Sequence, residues 1–468
     1  MIRCRANKIN TGSKMDTTLW AASALLPDGW AESVEIDIDA DGNVSDVRAG
    51  VAESGGARAG LLLPAIPNLH SHAHQRAMAG LGERAGDSDD SFWTWRQVMY
   101  HYLERIQPEH LQHIAAQLYL EMLKAGYGAV GEFQYLHHDI DGRAYDNRAE
   151  MSLQCLEAAR RVGIGFTALP VLYRYGGFGA ADPVDGQKRF LNDADGFGDI
   201  VTALQRETDG DANCAVGIAP HSLRAISADL LGDVIGNTHK PAAIHLHIAE
   251  QTKEVDDCLA WSGQRPVDWV YDRFDVDANW CLIHATHMTE AETIRLAESG
   301  CCAGLCPTTE ANLGDGLFNA VPYFAQQGRW GIGSDSHISI DPVEELRWLE
   351  YGMRLERRRR NLLVTPETRH TGRNLFDGAL AGGAQGCGRL TGRIERGYRA
   401  DFIVLDESHP RLYGRSGDAL LDSWIFSGND NLVRDVYVGG RKVIDDGHHA
   451  DEDEIERNYR NTIDELAD

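Results

Sequence analysis

Two apolar runs in this sequence each contain a pair of histidines, and an acid follows the second pair. His70 and His72 lie in the segment PNLHSH, while His245 and His247 lie in the segment IHLHIAE, which ends at Glu250. Residues two apart on a strand point to the same face, so each pair presents two imidazoles together. Two imidazoles on one face are half of a zinc site, and a carboxylate beside such a site can transfer protons.

Two further polar residues end strand-like runs later in the chain. His284 closes the run CLIH, and Asp335 follows the glycine-flanked run GIG. A single histidine on an apolar strand is usually a core residue, and an HxH motif alone is weak evidence of a metal site. Four such placements on separate predicted strands favour a shared polar site, because buried His and Asp cost free energy unless they are paired or coordinated.

The elements that would position these residues alternate between strand and helix patterns. Strand-like runs include GIGFTALPVLY and CCAGLCPTT, and helical patterns include EHLQHIAAQLYLEMLKAGY and NRAEMSLQCLEAARRVG. This spacing is typical of parallel βαβ units and predicts an α/β protein with a (β/α)₈ TIM-type barrel. No GxGxxG motif follows the first strand, which argues against a doubly wound sheet. In a barrel, the carboxyl ends of the strands meet on one face, where active sites form.

Both ends of the chain carry short β patterns. VEIDIDADGNVSDV alternates apolar and polar residues around a turn at 41–43, and LVRDVYVGGRKVIDDG does so around Gly439-Gly440. We therefore predict that both ends pair into a small β-sandwich domain, with the barrel as an insert. The predicted division is an extension or disordered segment at 1–14, the N-terminal part of the β-sandwich at 15–63, the barrel at 64–390, and the C-terminal part of the β-sandwich with a terminal helix at 391–468.

Composition excludes some classes of partner. The 468 residues include 45 basic and 71 acidic side chains, for a formal net charge of −26. A surface of this sign repels phosphate backbones, so we expect no nucleic acid partner. No apolar stretch reaches about 18 residues, so we expect no membrane span. The nine cysteines form no CxxC pair, which is typical of free thiols in a reducing compartment and predicts a cytoplasmic protein.

One glycine-rich segment could be mistaken for a phosphate-binding loop. Residues 380–386 read LAGGAQG and lack the lysine of a P-loop. We interpret these glycines as allowing close packing of a helix.

The order of the histidine and acid motifs resembles that of the amidohydrolase superfamily. An HxH after the first barrel strand, an HxxE after a middle strand, a lone His after the next strand and SD after the last resemble its mononuclear deaminase branch. Longer stretches, among them PNLHSHAHQRAMAGL, DSFWTWRQVMY, HIAEQTKEVDDCLAWSG and TTEANLGDG, resemble the formimidoylglutamate deiminase family in particular. The resemblance covers nearly the whole chain after Met15. It implies the same barrel with a β-sandwich from both chain ends.

The resemblance also implies one divalent metal and the residues around it. Zinc is the expected metal, with iron(II) or manganese(II) as alternatives. One metal is expected because the segment 130–135 has no lysine of the kind that is carboxylated in binuclear relatives. The implied metal ligands are His70, His72, His247 and Asp335. The implied catalytic residues are Glu250, His284 and Asp335, and the implied substrate-binding residues are Gln75, Arg96, Tyr135, His221 and Arg224.

The implied activity is hydrolysis of N-formimino-L-glutamate, a small dicarboxylate, to N-formyl-L-glutamate and ammonia in histidine degradation. Glu250 would protonate the leaving nitrogen, Asp335 would accept the water proton, and His284 would orient the attacking water. Arg96, expected in a loop after the first barrel strand, and Arg224, after a later strand, suit two carboxylates because arginine binds carboxylates bidentately. The family also implies a homodimer.

Two other functions stay open on the sequence alone. A sister deaminase acting on a nucleobase or another small amidine or aromatic amine would share the metal set, although two arginines favour a dicarboxylate over a flat neutral ring. A catalytically inactive binding relative would be expected to have lost ligands, whereas this chain keeps all four. Gln134 and the Arg174-Tyr175 loop depart from the family pattern and bear on substrate preference.

Overall fold

A computed structural model of the chain describes residues 17–53, 55–84 and 92–467. The extension predicted at residues 1–14 therefore lies outside the described residues. The strands are β1 Thr17–Leu26, β2 Gly29–Ile38, β3 Val44–Arg48, β4 Ala57–Pro64, β5 Ile66–Ser71, β6 Tyr127–Gln134, β7 Gly165–Leu172, β8 Cys214–Val216, β9 Ala219–Pro220, β10 Ile244–Ile248, β11 Trp280–His284, β12 Cys302–Leu305, β13 Arg329–Ile332, β14 Phe402–Leu405, β15 Val433–Val438 and β16 Arg441–Ile444.

Helices alternate with the central strands and also follow them. The α-helices are α1 Phe92–Leu103, α2 Pro108–Ala125, α3 Glu150–Val162, α4 Ala194–Glu207, α5 Ala228–Asn237, α6 Thr252–Ser262, α7 Pro266–Tyr271, α8 Glu290–Glu298, α9 Pro307–Leu313, α10 Ala320–Ala325, α11 Pro342–Arg357, α12 Thr371–Gly386, α13 Asp418–Phe426 and α14 Glu452–Ala467. Short 3-10 helices span Ala73–Met78 and Asp185–Gln187. Among the described residues, no helix combines the length and apolar character needed to cross a bilayer.

The barrel predicted for the middle of the chain is confirmed. Strands β5 to β8 are parallel neighbours, as are strands β10 to β13, and β9 continues β8 while pairing with β7. A parallel bridge from Ser222 to His247 joins the two halves on one side. A bridge from Ser71 to Asp335 closes β13 onto β5 on the other. With β8 and β9 as one interrupted strand, the result is an eight-stranded (β/α) barrel.

The β-sandwich domain predicted from both chain ends is also confirmed. Its strands form one hydrogen-bonded path in the order β16–β15–β14–β4–β1–β2–β3. The antiparallel pairs β2–β3 and β15–β16 are the two predicted hairpins. The pair β4–β14, with Leu63 opposite Ile403, joins the two ends of the chain. We retain residues 15–63 and 391–468 as a proposal for the extent of this domain.

The last two helices lie against the barrel rather than the small sheet. Arg105, which follows α1, donates to the carbonyl of Leu466 in α14 (2.6 Å). Arg347 in α11 donates to the carbonyl of Ile425 in α13 (2.7 Å). The C-terminal residues therefore add their strands to the small domain, while their helices α13 and α14 pack against the barrel.

The glycine-rich segment lies in α12 and packs directly on the barrel, as predicted. A Cβ at Gly382 would lie 1.7 Å from the Trp330 carbonyl oxygen, and a Cβ at Gly383 would lie 2.7 Å from the Pro67 carbonyl oxygen. These obstacles are backbone atoms of β13 and β5, which cannot move aside without opening the barrel.

We expect Gly382→Ala to lower the free energy of unfolding by roughly 1–3 kcal/mol, because the added methyl overlaps backbone. Gly198, on the exposed side of α4, has no atom within 4 Å of an added Cβ. Gly198→Ala should therefore leave stability unchanged or raise it by about 0.5–1 kcal/mol. Urea unfolding of both variants measures the difference, and equal stabilities would contradict the packing described.

Candidate metal and substrate site

Four side chains of types that can bind a metal come together at the carboxyl edge of the barrel. His70 lies in β5 and His72 just after it, His247 lies in β10, and Asp335 follows β13. One donor atom from each lies within 4.8 Å of the others, and all four side chains are buried. Asp335 Oδ1 is 3.5 Å from His70 Nε2 and 3.2 Å from His72 Nε2. A set of imidazole and carboxylate donors is typical of a divalent metal site.

Backbone carbonyls orient two of the three imidazoles. His72 Nδ1 donates to the Phe133 carbonyl (2.9 Å), and His247 Nδ1 donates to the His221 carbonyl (3.1 Å). A carbonyl only accepts, so each Nδ1 carries the hydrogen and each Nε2 is free to act as a ligand. His70 is fully buried, and neither of its ring nitrogens has a hydrogen-bond partner among the described residues. A bound metal ion would give a nitrogen of this buried ring the partner that it lacks. The residues therefore fit the divalent metal that their nitrogen and oxygen donor atoms suggest.

Burial and charge set the protonation of the cluster. Burial lowers the pKa of His70 to about 3 and lowers the pKa of His247 well below its ordinary value. Burial would raise the pKa of Asp335, but the neighbouring His70 and His72 imidazoles hold it well below the usual range. Neutral imidazoles and an ionised carboxylate are the forms that bind a metal.

The backbone around the site is bent into the left-handed region. Such φ values are uncommon outside glycine and cost about 1–3 kcal/mol each, so they persist only where the surrounding structure enforces them. The residues concerned at the ends of β10, β11 and β13 are Ala249, His284, Ala285, Asp335 and His337. The strained turns aim the functional side chains into the barrel mouth.

Glu250 and His284 line the same pocket as the cluster. His284 Nε2 is 3.8 Å from Glu250 Oε1 and 3.8 Å from Asp335 Oδ2. Burial raises the pKa of Glu250, while the neighbouring cations lower it in part. Burial alone would lower the pKa of His284, but the surrounding carboxylates outweigh it and raise the pKa to about 10. Perturbed acids and bases in one pocket are typical of proton-transfer sites.

The five predicted substrate-binding side chains open onto this pocket. They are Gln75, Arg96, Tyr135, His221 and Arg224. Gln75 Nε2 donates to the Tyr135 hydroxyl (2.8 Å), and the His221 ring stacks on the His247 ring at 5.1 Å. Arg224 Nη2 lies 3.6 Å from Glu250 Oε2.

The expectation that Arg96 lies in a loop is wrong. Arg96 belongs to α1, whose buried residues Phe92, Met99, Tyr100 and Leu103 recur at helical spacing. The helix carries Arg96 over the barrel mouth from outside the barrel strands. The run FWTWRQVMY contains this pattern, but its many aromatic residues obscured it.

Aromatic rings hold the two guanidinium groups on one wall of the pocket. Arg96 Cζ lies 5.1 Å from the Trp93 ring centre and 5.2 Å from that of Tyr100, and Arg224 Cζ lies 5.6 Å from the Trp93 ring centre. Cations over aromatic faces at these distances are attracted to the ring. A protein with a strongly negative total charge thus presents two cations inside this pocket.

Buried carboxylates that sequence reasoning left unassigned lie behind the site. Glu254 accepts hydrogen bonds from the amides of Ala249 and Glu250 (3.2 Å each) and so fixes the turn that carries Glu250. Glu132 accepts a hydrogen bond from the hydroxyl of Ser71 (2.6 Å), which lies between the candidate ligands His70 and His72. Glu254 follows the HxxE motif by one helical turn, and this spacing is the local sequence pattern that could have identified it.

Of the two departures from the family pattern, Gln134 lies off the pocket, whereas part of the loop that begins at Arg174 lines it. Gln134 Nε2 is 3.8 Å from Cys155 Sγ, and Gln134 Oε1 accepts from the Leu136 amide (3.3 Å). Of the described residues in the 173–178 stretch, Tyr173, Gly176, Gly177 and Phe178 line the pocket, whereas Arg174 and Tyr175 do not.

Comparison with known proteins gives two matching family models. The model described as "Amidohydrolase family" matches residues 61–443, and the model described as "Formimidoylglutamate deiminase HutF, N-terminal domain" matches residues 16–60. The formimidoylglutamate deiminase of Pseudomonas aeruginosa is 51% identical over 453 residues, which cover 97% of this chain and 100% of that protein. A 5-methylthioadenosine/S-adenosylhomocysteine deaminase of Natronomonas pharaonis is 26% identical over 82% of each chain.

Solved structures show the same architecture. A crystal structure of an amidohydrolase from Brucella melitensis matches with a TM-score of 0.93 and 47% identity, covering 97% of this chain and 100% of the other. An adenosine deaminase from Xanthomonas campestris with bound zinc matches with a TM-score of 0.77 and 20% identity, covering 97% and 98%. The second likeness concerns the fold alone.

His245 and His247 provide a matched test of the metal cluster. His245 Nε2 donates to the Gly386 carbonyl (2.7 Å) inside the barrel, whereas His247 is part of the four-residue cluster. We expect His247→Asn to lose most of its metal, and His245→Asn to keep its metal while losing stability because one buried hydrogen bond is lost. Metal analysis of both purified variants measures this, and equal metal loss would contradict the assignment.

Proposed function

The chain belongs to the amidohydrolase family, and on that premise we propose that it hydrolyses N-formimino-L-glutamate to N-formyl-L-glutamate and ammonia, a step of histidine degradation. The enzyme is therefore a hydrolase that acts on a C–N bond of a linear amidine. The observation that carries this function is the 51% identity, over nearly the full length of both chains, with the formimidoylglutamate deiminase of Pseudomonas aeruginosa. The pocket supports it with a metal cluster, a proton-transfer pair and two guanidinium groups on one wall.

We propose one metal, zinc, held by His70, His72, His247 and Asp335. Zinc suits nitrogen and oxygen donors that leave a position open for water. A divalent metal bound there supplies Lewis acidity, which makes water a stronger nucleophile near neutral pH. A second metal is not expected, since β6 contains no lysine and the oxygens of Glu132 already accept hydrogen bonds from protein groups.

The substrate carries two carboxylates and a cationic formimino group. We propose that Arg96 and Arg224 bind the carboxylates, because a guanidinium group forms paired hydrogen bonds with a carboxylate. Gln75, Tyr135 and His221 line the wall nearer the metal ligands; the Tyr135 ring is 5.1 Å from that of His72. These three would orient the formimino end of the substrate.

The proposed proton transfers use three side chains next to the cluster. Water adds to the formimino carbon, and the ionised Asp335 carboxylate accepts its proton while His284 orients the water. Glu250, whose raised pKa favours the protonated form, donates a proton to the terminal nitrogen. The bond from carbon to that nitrogen breaks and ammonia leaves, while the hydroxyl proton passes to the Glu250 carboxylate and the carbonyl of the formyl product forms. Arg224, 3.6 Å from Glu250, links substrate binding to the proton donor.

We further propose that the enzyme is a cytoplasmic homodimer. The cysteines that the structure describes are free thiols and all but Cys214 are buried, as expected in a reducing compartment. The dimer is proposed from the family resemblance alone. Light scattering on the purified protein tests it, and a mass of one chain would refute it.

Ammonia release from a small panel of substrates tests the proposed function. We expect rapid release from N-formimino-L-glutamate. We expect kcat/KM to be roughly 10- to 100-fold lower for N-formiminoglycine, which lacks one carboxylate, because one charged hydrogen-bonded contact is lost. Deamination of adenosine or guanine without release from N-formimino-L-glutamate would favour a sister deaminase. No release from any substrate by metal-loaded protein would favour a binding role.

Glu250→Gln tests the assignment of the proton donor. The amide preserves shape but cannot donate the proton, so we expect metal content to be retained and kcat to fall by about 10²–10⁴-fold. Asp257→Asn is the control, because Asp257 lies in the same pocket but pairs with the exposed Lys253. We expect its kcat to stay within a few-fold of wild type. Near-normal turnover by a metal-loaded Glu250→Gln enzyme would refute the assignment.

A further inference from the structure

Glu310 is a buried carboxylate directly behind His284. It lies in the first turn of α9, with only 4% of its surface exposed. Its Oε1 is 3.3 Å from His284 Nδ1 and also accepts the Cys306 amide hydrogen at 3.0 Å. The backbone of the barrel thus holds this carboxylate against one edge of the imidazole.

The two nitrogens of His284 face different surroundings. Nε2 faces the pocket, 3.8 Å from Glu250 Oε1 and 3.8 Å from Asp335 Oδ2. Nδ1 faces away from the pocket, toward Glu310. Since Oε1 acts as an acceptor for the Cys306 amide, the hydrogen of the second contact belongs to Nδ1. A histidine whose Nδ1–H is held by a carboxylate has a fixed ring plane and presents Nε2 on the opposite side.

The backbone at His284 departs from regular strand geometry. His284 ends β11 with φ 67°, and Ala285 follows with φ 48°, so the chain leaves the strand in a strained turn. The contacts of Nε2 with Glu250 and Asp335, at 3.8 Å each, are longer than a hydrogen bond. Among the described residues, Glu310 is the hydrogen-bond partner that fixes the rotation of the ring.

We propose that Glu310 is a positioning residue that holds His284 with Nε2 directed at the attacking water. The inference rests on the proposed hydrolysis, in which His284 orients that water. Glu310 lies outside the pocket and does not touch the substrate, so its effect on the reaction passes through His284. Glu310 lies in the segment TTEANLGDG. Nothing in that segment indicates that α9 contacts the end of β11, so the sequence alone does not predict the contact with His284.

The same neighbourhood offers a control carboxylate. Glu345 is completely buried, and its oxygens accept from the amide and hydroxyl of Thr308 in the first turn of α9. It supports the same helix as Glu310 but does not contact His284. A purely structural role for Glu310 predicts that Glu310→Gln and Glu345→Gln behave alike.

A double-mutant cycle on ammonia release from N-formimino-L-glutamate tests the proposal. We expect Glu310→Gln to lower kcat by about 10- to 100-fold, with KM within about twofold and metal content unchanged. Added to His284→Asn, the same substitution should lower kcat no further, because its effect passes through the imidazole. Glu345→Gln should lower stability and leave kcat near wild type. Glu310→Asp, which retains the charge, should recover part of the lost kcat.

Several results would overturn the proposal. These are unchanged kcat in Glu310→Gln, an undiminished effect in the His284→Asn background, or equal loss of kcat in Glu345→Gln. His284, Cys306 and Glu310 also place three donor atoms within 4.8 Å of one another. Two metals per wild-type chain, falling to one in Glu310→Gln, would make Glu310 a ligand instead.

One measurement avoids dependence on the folding of a variant and on the reaction. Nitrogen-15 NMR of histidine-labelled wild type should show a protonated, hydrogen-bonded Nδ1 for His284. The absence of that proton would overturn the positioning role even if the enzyme is active. Failure of wild type to release ammonia would instead refute the proposed function, while the NMR result still reports the Glu310–His284 contact.

Discussion

The closure of the barrel between β13 and β5 is the constraint on which the site depends. The Asp335 amide donates to the His70 carbonyl (3.1 Å), and the His72 amide donates to the Asp335 carbonyl (3.2 Å). These two backbone bonds close the sheet and at the same time fix three of the four proposed ligands. Gly333 permits this approach, since a Cβ there would lie 2.7 Å from His70 Cβ. The contacts that close the barrel are therefore the same contacts that bring these three side chains together.

Behind this edge, buried carboxylates hold the functional turns through backbone amides. Glu254 binds the amides of the turn that carries Glu250, and Glu310 binds the Cys306 amide while supporting His284. Such hydrogen bonds stabilise a buried charge that would otherwise be costly. In front of the edge, the aromatic rings of α1 hold two guanidinium groups. A very acidic protein can thus present two cations on one wall of the pocket.

The sequence predicted the parts of this site that local patterns encode. Strand periodicity placed His70 and His72 on one face, and the order of strand ends placed Asp335 beside them. The close packing of the α12 glycines and the two hairpins of the small sheet were also predicted from local patterns, and the structure confirms these two predictions. Strand periodicity did not show how deep in the barrel each histidine side chain lies. His245 and His247 share a face of the strand, yet His245 donates to the Gly386 carbonyl inside the barrel.

Other features depend on contacts between distant segments, which no single window of sequence reports. Arg96 was expected in a loop because aromatic residues masked the helical spacing of α1. Glu310 reaches His284 only because α9 begins beside the end of β11, so its contact could not be inferred from its own motif. Gln134 departs from the family pattern, but the structure turns its side chain toward Cys155, away from the pocket.

We propose that one metal at the closed edge of the barrel organises the site. Anomalous diffraction at the zinc edge, from crystals of zinc-loaded protein, tests it most directly. We expect one strong peak at coordination distance from His70, His72, His247 and Asp335. A peak between His284, Cys306 and Glu310, or zinc-loaded crystals with no peak in the four-residue cluster, would contradict it.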